Sequence, residues 1–188
     1  MAARCDHQCV GVVIPDGDTV WLLERGTPPP GWAGVGGHLD HHGSPEQAAR
    51  AETKEEMGLT GLTLISVFEE WLPNWCRREP QPGTLGHRWH MFIATWWEGT
   101  PTASPPETRA VRRFHQRELQ VLAERAAAYA VGEVTPADFA AKPGLELPWV
   151  YWAYRLGLVD LPGDVLGRIV DRSALSPTAP RSRGRRHS

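Results

Sequence analysis

The alternation of apolar and polar positions predicts a β-rich first half of the chain. Runs rich in apolar and β-branched residues cover Gln8–Pro15 and Thr19–Arg25, and the DGD sequence between them is typical of a hairpin turn. Two more runs, Leu62–Leu72 and Arg88–Trp97, combine β-branched with aromatic residues, as strands do. Between them we expect a polar loop, Pro73–Gly86, that could cover a binding site.

Helical signals begin in the segment that precedes the third strand. Ser44 suits an N-cap, a proline follows at the first helical position, and Gln47 completes a capping-box spacing. Gly58 stands where a C-cap glycine would end the helix. These signals predict a helix over about Pro45–Met57.

Two further helices are predicted in the second half. One covers Gln116–Ala130, and the other covers Leu147–Leu158, where the aromatic residues do not share one face. The expected apolar stripe of the first consists of Leu119, Val121, Leu122, Ala126 and Tyr129. Strands mixed with helices indicate an α/β layer architecture.

Composition restricts the classes of function. The 188 residues suit one domain, over about 1–160, and the net charge of −2 argues against a general nucleic-acid-binding surface. No apolar run approaches the length of a membrane span, and the start lacks the apolar core of a signal peptide. Three cysteines form no disulfide framework, so we expect a cytoplasmic protein.

Three acidic residues in the first predicted helix point to chemistry. Glu52, Glu55 and Glu56 are spaced i, i+3, i+4, so their carboxylates share one helix face. A solvated acidic face is the simple alternative. Because crowding like charges does not favour folding, we prefer a bound hard cation such as Mg²⁺, which carboxylates hold and which also touches substrate phosphates.

The segment Gly37–Leu59, GHLDHHGSPEQAARAETKEEMGL, resembles the signature box of the Nudix hydrolases. The fixed positions of that box are occupied by Gly37, Glu52, Glu55, Glu56, Gly58 and Leu59. The resemblance is clearest over residues 8–125 and implies a Nudix-like α/β/α sandwich with a mixed β-sheet. It also implies hydrolysis of a nucleoside diphosphate linked to another moiety, with Mg²⁺ or Mn²⁺ held by the three glutamates.

Three positions depart from this box. Gly43 replaces its first glutamate, Ala51 replaces its arginine, and Thr53 takes an apolar position. Arg50, one residue early, would point about 100° away around the helix, so it is an imperfect substitute for the arginine. These departures keep open an alternative function, a catalytically degenerate module that binds a nucleotide or metabolite as a regulator.

Further site candidates follow from the resemblance and from residue chemistry. Glu107 is the candidate for an additional metal ligand from a later loop, ahead of Glu69, Glu70 and Glu98. Peptide groups at Gly36 and Gly37 could hold phosphate oxygens. The substrate candidates are cationic or aromatic, and each could equally be an ordinary surface or packing residue; they are Arg25, Arg77, Arg78, Arg88, Trp71, Trp75 and Trp89.

Two weaker features remain. Cys5, His7 and Cys9 would share a strand face and could bind a metal with His41 or His42, but the spacing is not a usual zinc pattern, so buried strand cysteines are favoured. Residues 172–188 lose periodicity and end in an arginine-rich stretch, which predicts a disordered basic tail. The expected partner is a small phosphorylated molecule, without membrane or specific nucleic acid, and the resemblance allows a homodimer.

Overall fold

The computed structural model describes residues 5–78 and 86–177, which contain seven strands and five helices. In chain order these are β1 Gln8–Asp16, β2 Thr19–Arg25, β3 Trp32–Ala33, β4 Val35–His38, α1 Pro45–Met57, β5 Thr60–Leu72, β6 His87–Glu98, β7 Thr108–His115, α2 Gln116–Val131, α3 Pro136–Ala141, α4 Leu147–Arg155 and α5 Gly163–Ser173.

Strand β1 organises a mixed sheet with the order β3-β2-β1-β6-β5, to which β4 is added on β1 and β7 on β2. The β1 and β6 strands run parallel, with Gln8 opposite Arg88, and the other pairs are antiparallel. The predicted mixed sheet is confirmed. Its buried strand residues include Val10, Val12 and Ile14, which have no exposed surface.

Helices cover both faces of this sheet. A side chain added at Gly36 would meet the ring of Trp149 from α4 at 3.5 Å, whereas one added at Gly37 would collide with the carboxylate of Glu52 from α1. Adjacent strand residues point to opposite faces, so α1 and α4 lie on opposite sides. Helices α2 and α5 pack with α4 and with each other. This is the expected α/β/α sandwich.

Helix α1 has the predicted limits and caps. The hydroxyl of Ser44 accepts a hydrogen bond from the amide of Gln47 at 3.2 Å, and the amide of Gly58 donates to the carbonyl of Lys54 at 3.0 Å. Ala48 and Ala49 are fully buried, which allows the helix to lie close to the sheet. The face that carries the glutamates is thereby fixed relative to β4.

The C-terminal region differs from the sequence prediction. Val121 was placed in the apolar stripe of α2, but it is 63% exposed, because the buried face is formed by Leu119, Ala123 and Ala126. Helix α4 ends at Arg155, with Trp149 and Trp152 buried in the core.

Helix α5 was not predicted, and it crosses the proposed start of the tail. Arg172 and Ser173 lie in its last turn and are buried; the guanidinium of Arg172 donates to the hydroxyl of Tyr129 at 2.7 Å. Residues 178–188, which carry the arginine-rich part of the predicted tail, lie outside the described residues, as do residues 79–85 of the predicted loop. Across the described ranges, no helix is long and apolar enough to span a membrane.

The two sides of α2 should differ in their contribution to stability. Leu119 is 3% exposed, so Leu119→Ala should lower the free energy of unfolding by about 2–4 kcal/mol through lost burial and a cavity. Val121→Ala, at an exposed position of the same helix, should change it by less than about 0.5 kcal/mol. Urea unfolding followed by circular dichroism measures both, and equal losses would contradict the burial pattern.

Candidate active site

A polar cleft of about 350 Å³ opens beside strand β4 and helix α1. Its walls include residues from the end of β2, from β4, from α1, from the segment after β5 and from the turn before β7. Segments that are far apart in the sequence therefore meet in this cleft.

Five glutamates line this cleft: the buried Glu146, just before α4, and four that were candidates from the sequence. Glu52, Glu55 and Glu56 come from one face of α1, as their spacing predicted, and Glu107 comes from the turn that precedes β7. The carbonyl of Glu107 accepts a hydrogen bond from the amide of Gly26 at 2.6 Å, which ties this turn to the end of β2. The structure thus brings the later glutamate candidate to the three glutamates of the box.

The two glycines of β4 position the carboxylates. A Cβ atom at Gly37 would lie 2.1 Å from the Glu52 carboxylate, so only glycine leaves room for this side chain. The amide of Gly36 donates to the Glu56 carboxylate at 3.0 Å. Gly36 was expected to hold phosphate, but its amide proton is directed to Glu56 instead.

Burial shifts the protonation of two of these carboxylates, Glu52 and Glu56. Burial raises the pKa of Glu52 to about 7, and the charges of Glu55 and Glu107 add to the shift. Burial also raises the pKa of Glu56 to about 8, although the Gly36 amide and Arg25 oppose this. Four carboxylates around one water-accessible space fit a hard divalent cation, which would supply the missing positive charge.

The box departures leave this arrangement in place. Gly43 has φ of 82°, a left-handed conformation that L side chains rarely adopt, and a Cβ there would lie 2.7 Å from the Gln47 amide oxygen. Arg50 points away from the cleft, as expected: it donates to the Leu62 carbonyl and pairs with Glu46 at 2.6 Å.

Only some of the proposed substrate arginines reach the cleft. Arg25, Arg77 and Arg78 line it, whereas Arg88 lies outside it and pairs with Glu69 at 3.0 Å. Arg78 donates to Asp40 at 2.8 Å, and this contact lowers the pKa of the aspartate. The nearby Arg77 is exposed and lines the cleft.

The tryptophans divide in the same way. Trp75 and Trp89 line the cleft, but Trp71 is 47% exposed and is not part of the lining. Trp149 was not proposed for the site; it reaches the cleft from α4 and packs edge-on against Trp89.

Sequence reasoning also missed Glu146, which is buried at the start of α4 and lies 3.8 Å from the Nε of Arg25. Burial raises its pKa. The sequence signal that could have pointed to Glu146 is its position directly before a helix that has a proline in its first turn.

His42 lines the cleft whereas His41 is exposed. The weaker candidates Glu69, Glu70 and Glu98 are not part of the lining among the described residues.

Comparison with known proteins agrees with this geometry. A sequence model described as the NUDIX domain matches residues 6–134. A search of curated proteins finds no match.

Similar solved structures include a MutT NUDIX hydrolase from Burkholderia pseudomallei, with 19% identity and a TM-score of 0.49, covering 59% of this chain and 84% of that one. A NUDIX-family hydrolase from Clostridium perfringens has 23% identity and a TM-score of 0.46, with 61% and 85% covered. The NUDIX domain of Shewanella oneidensis NrtR, solved with ADP ribose, has 15% identity and a TM-score of 0.49, with 63% and 77% covered.

The segment that matches the domain model is well over half of the chain and contains Glu52, Glu55, Glu56 and Glu107. The chain therefore belongs to the NUDIX family of pyrophosphohydrolases.

Proposed function

We propose that this protein is a Mg²⁺-dependent hydrolase that breaks a phosphoanhydride bond in a nucleoside triphosphate or in a nucleoside diphosphate linked to another moiety. The observation that supports it most directly is the convergence of Glu52, Glu55, Glu56 and Glu107 in one cleft that arginines also line. Carboxylates suit the cation, and guanidinium groups suit the phosphates that remain. We also propose that the protein is cytoplasmic, since Mg²⁺ and nucleotides are both present in the cytoplasm.

The glutamates, arginines and tryptophans of the cleft have different roles in this reaction. Glu52, Glu55, Glu56 and Glu107 would hold the cation, which neutralises the diphosphate and lowers the pKa of a bound water. Glu52 or Glu55 accepts the proton of the attacking water. Arg77 and Arg78 contact the phosphates, and the rings of Trp75 or Trp89 provide a surface on which a base can stack.

The degenerate binding module is less well supported. Its argument rests on Gly43 and Ala51, which replace an acidic and a basic position of the box. In this chain the Gly36 amide and the nearby charge of Arg25 act on Glu56, so its carboxylate has an orienting partner without the box arginine. A module that only binds a metabolite would have no need for four converging carboxylates.

The hydrolase should lose its activity when the carboxylates lose their charge. Phosphate release from a panel of nucleoside triphosphates, nucleoside-diphosphate sugars and dinucleotides, with and without phosphatase, should require Mg²⁺. The Glu55→Gln/Glu56→Gln protein should be at least about 100-fold slower. Glu46→Gln, an exposed change on the same helix, should leave the rate unaltered.

The outcomes of this assay separate the two functions. Binding of the panel nucleotides without any metal-dependent turnover would favour the regulatory module. An active Glu55→Gln/Glu56→Gln protein would contradict the assignment of these residues.

Arginines inside and outside the cleft should differ in their effect on substrate use. Arg77→Ala removes a charge that faces the cleft, so kcat/KM should fall about 10-fold or more, as expected for a lost charge-assisted hydrogen bond. Arg88→Ala is the matched control, since Arg88 pairs with Glu69 on the exposed sheet face. Steady-state kinetics with the same substrate measures kcat/KM for both variants. Equal values of kcat/KM would contradict a phosphate contact of Arg77.

The raised pKa values predict how stability depends on pH. For Glu52 and Glu56 the folded pKa values of about 7 and 8 lie above the usual 4.5. As pH rises from 4.5 to 8, the unfolded chain loses these protons first, so the free energy of unfolding of the metal-free protein falls. One pKa unit corresponds to about 1.4 kcal/mol, so the rise of the Glu56 pKa from 4.5 to about 8 should contribute on the order of 4 kcal/mol over this pH range.

Thermal unfolding across this range checks the prediction. Glu56→Gln should flatten the decline, since its amide cannot ionise, whereas Glu46→Gln should follow the unchanged protein. Added Mg²⁺ should stabilise the protein at pH 8 and have little effect at pH 5, because protons compete with the cation. Parallel pH curves for all three proteins would contradict the assigned pKa shifts.

A further inference from the structure

Two cysteines and two histidines converge at one end of the sheet, and three of them, His38, Cys76 and His87, also line the glutamate cleft. One ligand atom from each of Cys5, His38, Cys76 and His87 lies within 4.8 Å of the other three. The two cysteines and His87 are buried, and His38 is half-buried. We propose that these four residues form a structural Zn²⁺ site, whose ligands include none of the cleft glutamates.

The strand register explains why residues so distant in sequence meet. His38 ends β4, where this strand pairs with Cys9 of β1, and Cys5 lies just ahead of β1. The parallel pairing of β1 with β6 places His87, the first residue of β6, at the same edge. His87 is in turn opposite Leu72, the last residue of β5, after which the chain reaches Cys76.

Two of the six distances between ligand atoms match tetrahedral coordination, and the other four are no longer than 4.8 Å. Sγ of Cys5 lies 3.3 Å from Nε2 of His87, and Sγ of Cys76 lies 3.5 Å from Nε2 of His38. With Zn–S bonds of 2.3 Å and Zn–N bonds of 2.0–2.1 Å, adjacent ligand atoms in a tetrahedron are about 3.3–3.8 Å apart. The side chains therefore need little rearrangement to surround an ion.

Neighbouring groups orient His87 as a ligand. The indole Nε1 of Trp89 can only donate, and it lies 3.3 Å from Oδ1 of Asn74, which is therefore an acceptor. The same oxygen lies 2.9 Å from Nδ1 of His87, so this nitrogen carries the proton. Nε2 of the neutral ring is then left with its lone pair toward Cys5, the arrangement that a metal-binding histidine requires.

The other contacts and the donor types agree with zinc. The amide of His7 donates to Sγ of Cys5 at 3.3 Å, a contact that would favour a thiolate. Sulfur and imidazole ligands select Zn²⁺, whereas the carboxylates of the cleft select Mg²⁺. This corrects the ligand set considered from sequence: of Cys5, His7 and Cys9 with His41 or His42, only Cys5 belongs to the cluster.

Four protein ligands make a closed site, so its role is structural. The ion would join the start of the chain to β4 and to both ends of the segment between β5 and β6. Cys76 directly precedes Arg77 and Arg78, and both arginines line the cleft. Zinc binding would hold these two cations at the edge of the substrate cleft.

Elemental analysis of the purified full chain, after dialysis against Mg²⁺, tests the site without any assay of activity. We expect about one zinc per chain, as for a single tetrahedral site. Cys5→Ser and Cys76→Ser should each retain less than about a tenth of it, since half of the thiolate ligands is lost. Cys9→Ala, a change of a buried cysteine outside the cluster, and Glu55→Gln/Glu56→Gln should keep full zinc content.

A second measurement uses the wild-type chain, so it tests the site even if the cysteine variants do not fold. Co²⁺ added to the reduced, zinc-free wild-type chain should produce the visible absorption of tetrahedral cobalt and a thiolate charge-transfer band. The proposal is overturned if wild type neither contains zinc nor gives this spectrum. It is also overturned if zinc follows Glu55 and Glu56 rather than the cysteines, or if Cys5 and Cys76 are found joined as a disulfide in the purified protein.

Discussion

The pairing of β1 with the four-residue strand β4 is the contact on which the functional part of the structure depends. It fixes Gly36, whose amide binds Glu56, and Gly37, whose missing side chain leaves room for Glu52. Helix α1 adds the complementary half, because its buried alanines bring the glutamate face onto this strand. A shift of one residue in the register would exchange the faces of the two glycines, and the Gly36 amide would then no longer reach the Glu56 carboxylate.

This close packing has an electrostatic consequence. The folded chain keeps Glu52 and Glu56 largely out of water, and their raised pKa values show that burial outweighs the available positive charge. Arg25 helps only partly, since it is also close to the buried Glu146. The two buried carboxylates therefore lower the stability of the metal-free fold at neutral pH, and binding of the proposed cation there would be linked to folding.

Local signals explain what could be predicted from the sequence. Helix α1, its caps and its glutamate face depend on neighbours within a few residues, and each followed from spacing alone. The substrate side chains depended on strand register instead: Trp71 and Arg88 are cross-strand partners and lie away from the cleft. Helix α5 ends in the buried Arg172, which donates to the hydroxyl of Tyr129, distant in sequence, and to the carbonyls of Ser176 and Pro177.

The positions of the cysteines and histidines also depend on strand register and could not be predicted from sequence spacing. Proximity in sequence suggested Cys5 with His7 and Cys9, but alternation along a strand does not bring their ligand atoms to one point. The convergence of Cys5 and His38 with Cys76 and His87 requires two antiparallel pairings and one parallel pairing at once. The same cleft is thus lined by sulfur and imidazole groups and by carboxylates. Because soft and hard donors prefer different ions, the proposed zinc and the proposed catalytic cation would each favour their own set of ligands.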